Sequence, residues 1–323
     1  MVFEQIESVF EQNMRCLLII LSIVEVYLVI SASSVNKPNL NRCATWSSIG
    51  LTLIRSNTNS YNGFVDRANR SYLIDYQTKS VQIRFGNRSI SNHNLSIQSN
   101  RSSGVFVTDK REIYVDDQSN SRVVISSLNS STTNGSLFIN KGCKSLFVHA
   151  NKILYCSINN GHLVVKLNLE IKPNTWHHAA GKGCPGPAAD MLDQPWGIYV
   201  NDNEDLYIAD TGNNRIQLYP TNKAEGITVA DSQIGLIRPT SVILDQGDNL
   251  YIVDHGNHRI IRVNSSIYEC IIGCSGNAEL QNPISAWFDS TGNLYVIDEN
   301  TSRIQLFLFQ SDVCGKYFEN KIK

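Results

Sequence analysis

Residues 194–230 read QPWGIYVNDNEDLYIADTGNNRIQLYPTNKAEGITVA. Gly197–Val200 is a short apolar run of β-formers. Asn201-Asp202-Asn203 follows as a turn, and Leu206–Ala209 is a second apolar run ending at Asp210. Thr211-Gly212-Asn213-Asn214 makes a second turn. Arg215–Tyr219 alternates polar and apolar residues, as a half-buried strand does. Gly226–Ala230 offers a fourth strand. Four short strands joined by tight turns leave no room for a helix, so the stretch predicts one twisted antiparallel sheet.

The unit recurs. RPTSVILDQGDNLYIVDHGNHRIIRV (238–263) and NPISAWFDSTGNLYVIDENTSRIQLF (282–307) repeat it, with Arg five residues after Asp each time: Asp210 and Arg215, Asp254 and Arg259, Asp298 and Arg303. Earlier units are more worn. YVDDQSNSRVVI keeps Asp117 and Arg122, and YLIDYQTKSVQI keeps Asp75 but has Ser80 for Arg. YCSINNGHLVVKL has Ile158 and Leu163 in the two places, with its apolar pattern intact. The Tyr of the unit falls at 72, 114, 155, 207, 251 and 295, at intervals of 42, 41, 52, 44 and 44. A period of ~40–45 residues with four strands per unit is the mark of propeller blades. Six cassettes predict an all-β, six-bladed propeller of four-stranded antiparallel blades. Its innermost strands are expected near 62–66, 104–108, 145–149, 196–200, 240–244 and 284–288.

The strings LYIADTGNNRIQ and LYIVDHGNHRI resemble the NHL repeat family, named for an Asn-His-Leu stretch in the second turn; GNHRI at Gly256–Ile260 is the nearest match. The resemblance covers about residues 40–315 and implies a six-bladed propeller, leaving 316–323 as a tail. Five units have a candidate outer strand, at 94–98, 136–139, 175–180, 226–230 and 268–272, and the sixth has none. The spare segment WSSIGLTLI, Trp46–Ile54, is therefore expected to complete the last blade and cover an otherwise open edge.

Hydrophobic residues make up 42% of the 323, enough for one large core, and the net charge is −1, which predicts no generic nucleic-acid surface. Residues 1–34 stand apart. CLLIILSIVEVYLVISA, Cys16–Ala32, follows Arg15 and ends at small residues. It reads as a secretory signal peptide, the more so if translation begins at Met14, or as an uncleaved transmembrane anchor by which the chain is held in the membrane, against which Glu25 is costly. The first is favoured, and either way the expected location is extracellular or at the cell surface. Glycosylation sequons at Asn69, Asn87, Asn94, Asn100, Asn129, Asn134, Asn264 and Asn300 fit that expectation, though an Asn- and Ser-rich chain produces several by chance. Outside the leader there are seven cysteines, an odd number, so at least one is free or paired with another chain. Cys43 and Cys314 flank the expected closure, and Cys270 and Cys274 are placed for a local bridge.

The Asp/Arg pairs recur once per unit in the same turn, so they read as structural supports of the repeat rather than catalytic groups. Some propellers similar to this family are amidating lyases that hold zinc on inner-strand histidines. Here His149 has no inner-strand partners in the last three units. No nucleotide, hydrolase or zinc-protease fingerprint is present, so no catalytic residue, metal or cofactor is assigned. The long interval before Tyr207 contains GKGCPGPAADML (Gly181–Leu192), and long loops on rigid scaffolds often carry recognition. Trp176, Lys182, Pro185, Pro187 and Trp196 are the candidate partner-binding residues. The leading reading is a non-enzymatic secreted or membrane-displayed scaffold for a protein or glycan ligand, with no nucleic acid bound. The alternatives are a channel-mouth lyase or hydrolase, resembling peptidyl-amidoglycolate lyase, and an RNA-binding or ubiquitin-ligase-type module. The last needs a cysteine array and a basic face that the chain lacks.

Overall fold

A computed structural model describes residues 35–40, 43–55, 61–66, 68–75, 80–85, 88–94, 104–128, 133–139, 141–264, 267–274 and 280–310. The leader, Cys314 and the tail fall outside them, as do Asn87, Asn100 and Asn129. Among the described residues no helix is long and apolar enough to cross a membrane.

Six four-stranded antiparallel sheets form the blades. From the inside outward, the first holds Tyr61–Val65, Arg70–Asp75, Ser80–Phe85 and Arg88–Asn94. The second holds Val105–Val107, Glu112–Asp117, Arg122–Ser127 and Thr133–Phe138. The third, despite its worn cassette, holds Ser145–Val148, Ile153–Ile158, Leu163–Asn168 and His177–Ala180. The fourth holds Pro195–Val200, Leu206–Asp210, Arg215–Tyr219 and Ile227–Ala230, and the fifth Pro239–Leu244, Leu250–Asp254, Arg259–Asn264 and Ile267–Ile272. All six inner strands lie at the expected windows, and every cassette Tyr is buried between sheets.

The sixth blade has Pro283–Phe288, Leu294–Asp298 and Arg303–Phe307 from its own unit, and Leu51–Arg55 as its outer strand. Leu51 faces Leu306 and Arg55 faces Arg303 in the register. The expected closure therefore holds, but the N-terminal segment divides its work. Thr45–Trp46 leaves the blade and pairs separately with Phe309–Gln310. Trp46 is buried there, donating from Nε1 to the Gly292 carbonyl at 2.8 Å. Its ring sits 5.7 Å from Tyr251 and 6.2 Å from Phe288, so it wedges blades five and six together. A second correction concerns the first blade, whose outer strand is Arg88–Asn94 rather than 94–98.

The Asp of each intact cassette is a clamp. Asp210 Oδ1 accepts the Asp193 amide (2.6 Å) from the linker entering the blade, while Oδ2 accepts Asn213 Nδ2 (2.8 Å) and Arg215 Nε (2.7 Å). Asp254 takes Ile237 N, Asn257 Nδ2 and Arg259 Nε in the same way. Asp298 takes Gln281 N, Thr301 Oγ1 and Arg303 Nε. In the second blade Asp117 Oδ2 accepts Asn120 Nδ2 and Arg122 Nε. All four carboxylates are fully buried. The turn between each pair ends on a left-handed residue, Ser121, Asn214, His258 or Ser302, with φ of 47–56°, a conformation Asn and His adopt more readily than most. His258 takes that position in the fifth blade.

The third blade, without the pair, is held differently. A disulfide joins Cys143, in its entering linker, to Cys156 on its second strand, with Cα atoms 5.3 Å apart. It covalently links the two segments that the carboxylate links elsewhere. Sequence reasoning missed this pairing. The expected local bridge between Cys270 and Cys274 is present. Cys43 is also disulfide-bonded, and Cys184 is free and exposed. The two defined disulfides are compatible with an extracellular location.

The chain also crosses one end of the ring. Asn36 is buried and donates to the Asp66 and Phe288 carbonyls, in blades one and six, at 2.9 Å each. Lys37 pairs with Asp202 and Asp248, in blades four and five, and the Gln246 amide donates to the Pro38 carbonyl. Val35–Leu40 thus covers the end at which inner strands finish, opposite the Asp/Arg turns.

The clamp reading makes the third blade depend on its staple. Replacing Cys143 and Cys156 with Ala is expected to cost about 3 kcal/mol, against about 2 for Cys270 with Cys274, whose closed loop is shorter. Denaturant unfolding under non-reducing conditions checks this, and an equal or larger loss for the second pair contradicts it.

Candidate ligand cleft between the third and fourth blades

The loop Gly181–Leu192 is exposed along most of its length, yet it is pinned. Arg215 donates beyond its own carboxylate: Nη1 to the Pro187 carbonyl at 2.7 Å, and Nη2 to the Ala188 and Met191 carbonyls at 3.0 Å each. Asn213 Nδ2 reaches the Gly186 carbonyl at 2.9 Å, and the Tyr219 hydroxyl donates to Ala189 at 3.0 Å. Gly181 and Gly183 have φ near +80°, the left-handed region that glycine enters without strain. At Gly181 a Cβ would also lie 2.5 Å from the His162 carbonyl, so the bend at the loop's start requires glycine.

The pinned loop walls a cleft of about 410 Å³. Tyr155, Lys166 and His178 come from the third blade, Glu204, Tyr219 and Lys223 from the fourth, and Lys182 and Asp190 from the loop. Lys182 and Asp190 form an ion pair, which raises the lysine and lowers the carboxyl from their ordinary values. Glu204 accepts from Asn151 Nδ2 at 2.6 Å. Among the described residues Lys166, His178 and Lys223 have no side-chain ion-pair or hydrogen-bond partner. Burial, helped by the charge of Glu204, pushes the Tyr155 hydroxyl up to about 12. Burial, with Asp210 nearby, does the same to Tyr219, also to about 12, so both phenols stay neutral donors. The surface offers aromatic edges and unpaired cations beside a rigid wall. It suits an acidic, hydrogen-bonding ligand.

The sequence candidates separate. Lys182 lines the cleft, and Pro187 lends its carbonyl to Arg215 while Pro185 stays exposed on the loop. Trp176 donates from Nε1 to the Phe138 carbonyl on the outer strand of blade two, at 2.8 Å, so its polar edge is already engaged. Trp196 opens the inner strand of blade four, under the Lys144 ammonium. The cleft's Tyr155, Lys166, His178, Tyr219 and Lys223 were not foreseen; the one available signal was the long interval that brings the loop over them. Of the sequons, Asn69 Oδ1 accepts from Ser290 N and Oγ at 2.9 Å, Asn264 Oδ1 accepts from Ile267 N, and Asn300 is exposed. Asn94 and Asn134 lie on outer strands. His149 follows its inner strand, and its Nδ1 accepts the Asn151 amide at 3.5 Å. Among the described residues no group of three His, Cys, Asp or Glu is close enough to hold a metal ion.

The NHL repeat family matches residues 192–219, the first three strands of blade four. No curated protein matches the chain. Several solved structures share the fold. Virginiamycin B lyase from Staphylococcus aureus, solved as a catalytically inactive variant with quinupristin, is 13% identical with a TM-score of 0.60, over 82% of this chain and 99% of that one. A streptogramin B lyase structure is 14% identical with a TM-score of 0.58, over 77% and 78%. A nidogen/laminin complex contains a chain 14% identical with a TM-score of 0.54, over 79% and 84%.

Because Arg215 serves both clamp and loop, Arg215→Ala should destabilise more than Arg259→Ala, by roughly 3–5 kcal/mol in total. Arg259 makes only two longer contacts to its linker, at 3.3 Å. Amide exchange should rise across 181–192 in the first variant and not in the second. Equal unfolding midpoints would remove the distinction.

Proposed function

We propose that this NHL-repeat β-propeller is a non-enzymatic binding module of the extracellular space or cell surface, and that its protein or glycan partner enters the cleft between blades three and four. The observation that carries the reading is the Gly181–Leu192 loop, held rigid by Arg215 while its outer face stays open beside the free cations of Lys166 and Lys223. A recognition surface gains affinity when its loops are ordered before the partner arrives. A repeated scaffold also places recognition where one unit departs from the rest. The likeness to lyases is one of fold, and fold does not carry activity.

The test uses the intact chain against a panel of acidic and neutral oligosaccharides and of acidic and neutral peptides. Acidic members of one class are expected to bind, and the double variant Lys166→Glu with Lys223→Glu should weaken them ten-fold or more, about 1.4 kcal/mol per factor of ten. Binding that ignores the charge reversal would refute the cleft. Transit through the secretory pathway is checked separately by a glycosidase-sensitive mass shift; a chain that stays unglycosylated and cytosolic contradicts it.

A further inference from the structure

The two ends of the ring are unlike. Val35–Leu40 lies across one, and at the other, where the inner strands begin, Lys144, Trp196, Thr240 and Ile284 hold equivalent positions in blades three to six, Thr240 buried and the other three part-exposed. Most polar groups there are committed. Ser157 Oγ donates to the Trp196 carbonyl at 2.6 Å, and Thr211 Oγ1 to the Pro239 carbonyl at 2.7 Å. His255 Nδ1 lies 3.0 Å from the Pro283 carbonyl, which can only accept, so Nδ1 carries the proton. These bonds tie each blade to the next and fix the rim.

Lys144 is the exception. Its Nζ stands 3.7 Å from the centre of the Trp196 ring, and among the described residues it has no hydrogen-bond or ion-pair partner. The ring of His255 lies on from Trp196, 6.4 Å away. Asp116 and Glu299 act on Lys144 only at longer range, and burial lowers the ammonium from its ordinary value. Asp116 itself breaks the repeat, occupying the position of Ala209, Val253 and Ile297 in later blades. It is fully buried: Oδ1 accepts the Cys143 amide at 2.9 Å, Oδ2 has no hydrogen-bond partner, and the Gln118 amide lies close enough to favour the ionised form. Burial pushes this carboxyl up to about 7, so it neutralises Lys144 poorly at neutral pH. A half-buried cation with no counter-ion is costly, and here it sits at a pre-formed rim, at a point where the repeat is broken.

We propose that the end of the ring at which these inner strands begin carries a second binding site, distinct from the cleft, which takes a single carboxylate on the Lys144 ammonium above Trp196. A single positive charge suits a monoanion better than a phosphate or sulfate dianion. The carboxylate belongs either to a small organic acid or to the C-terminus of a chain.

Calorimetric titration of the intact protein separates these sources. The probes are acetate, benzoate, an acetylated tripeptide with a free C-terminus, its C-terminal amide, and inorganic phosphate. Saturable binding of a carboxylate probe is expected, with at least a ten-fold loss for the amide and for Lys144→Gln, and retention by Lys144→Arg. Benzoate without the peptide identifies an organic-acid site, and the free peptide alone identifies a terminus. Lys144→Met should leave the unfolding midpoint unchanged or raised, whereas a merely structural lysine would lower it. The Lys166→Glu, Lys223→Glu variant should bind these probes normally, so failure of the cleft leaves this second site untouched. No saturable binding at ten-millimolar probe, equal binding of the amide, or binding that survives Lys144→Gln would overturn the proposal.

Discussion

The ring depends on a buried carboxylate placed one residue past the end of the second strand's apolar run. A buried charge is tolerated only when it is paired and hydrogen-bonded. Asp210, Asp254 and Asp298 meet that demand with the same donors: a linker amide, a turn side chain and an arginine Nε. Each carboxylate therefore fixes where the chain enters a blade, how it turns between strands two and three, and where strand three begins. That coupling explains the constant five-residue spacing from Asp to Arg. It also explains why blade three, with Ile158 and Leu163 in those places, needs a covalent link between linker and second strand.

Much of this was legible in the residues. The Tyr interval marks the blades, and the apolar runs locate their inner strands. The missing sixth outer strand points to Trp46–Ile54, of which Leu51–Ile54 falls in the observed strand, and the four-residue spacing points to the Cys270–Cys274 bridge. The first blade's outer strand was misplaced for a local reason. Its third and fourth strands are paired up to Phe85 and Arg88, with only two residues between. Gly86-Asn87 is a tight-hairpin signal, and it places the outer strand directly after Phe85.

What was not legible depends on contacts between distant segments. Nothing in the spacing of Cys143 and Cys156 shows that the first lies in a linker beside the second strand. Val35–Leu40 reads as an unremarkable polar stretch, and only the ring gives Asn36 two carbonyls to meet. The cleft likewise draws Tyr155, Lys166, His178, Tyr219 and Lys223 from two blades. Each is an ordinary alternating strand or turn residue within its own unit, so a one-dimensional pattern cannot single it out.

In a repeat protein the informative positions are those at which one unit gives up what the others keep. A worn cassette alone is ambiguous, since neutral drift erodes any copy that another interaction can hold. The distinction lies in the cost of the replacement. Ile158 and Leu163 are cheap, because they remove a charge pair together and leave no buried group unmet. Asp116 and Lys144 are not: one places a carboxylate where Ala209, Val253 and Ile297 are apolar, and the other leaves an ammonium over an indole without a counter-ion. Arg215 marks the same contrast in blade four, where a shared clamp residue has taken on three further carbonyls to hold a loop that the other blades lack. Drift removes interactions more readily than it adds them, so costly or added groups at rigid positions are better markers of recognition than loss of the consensus.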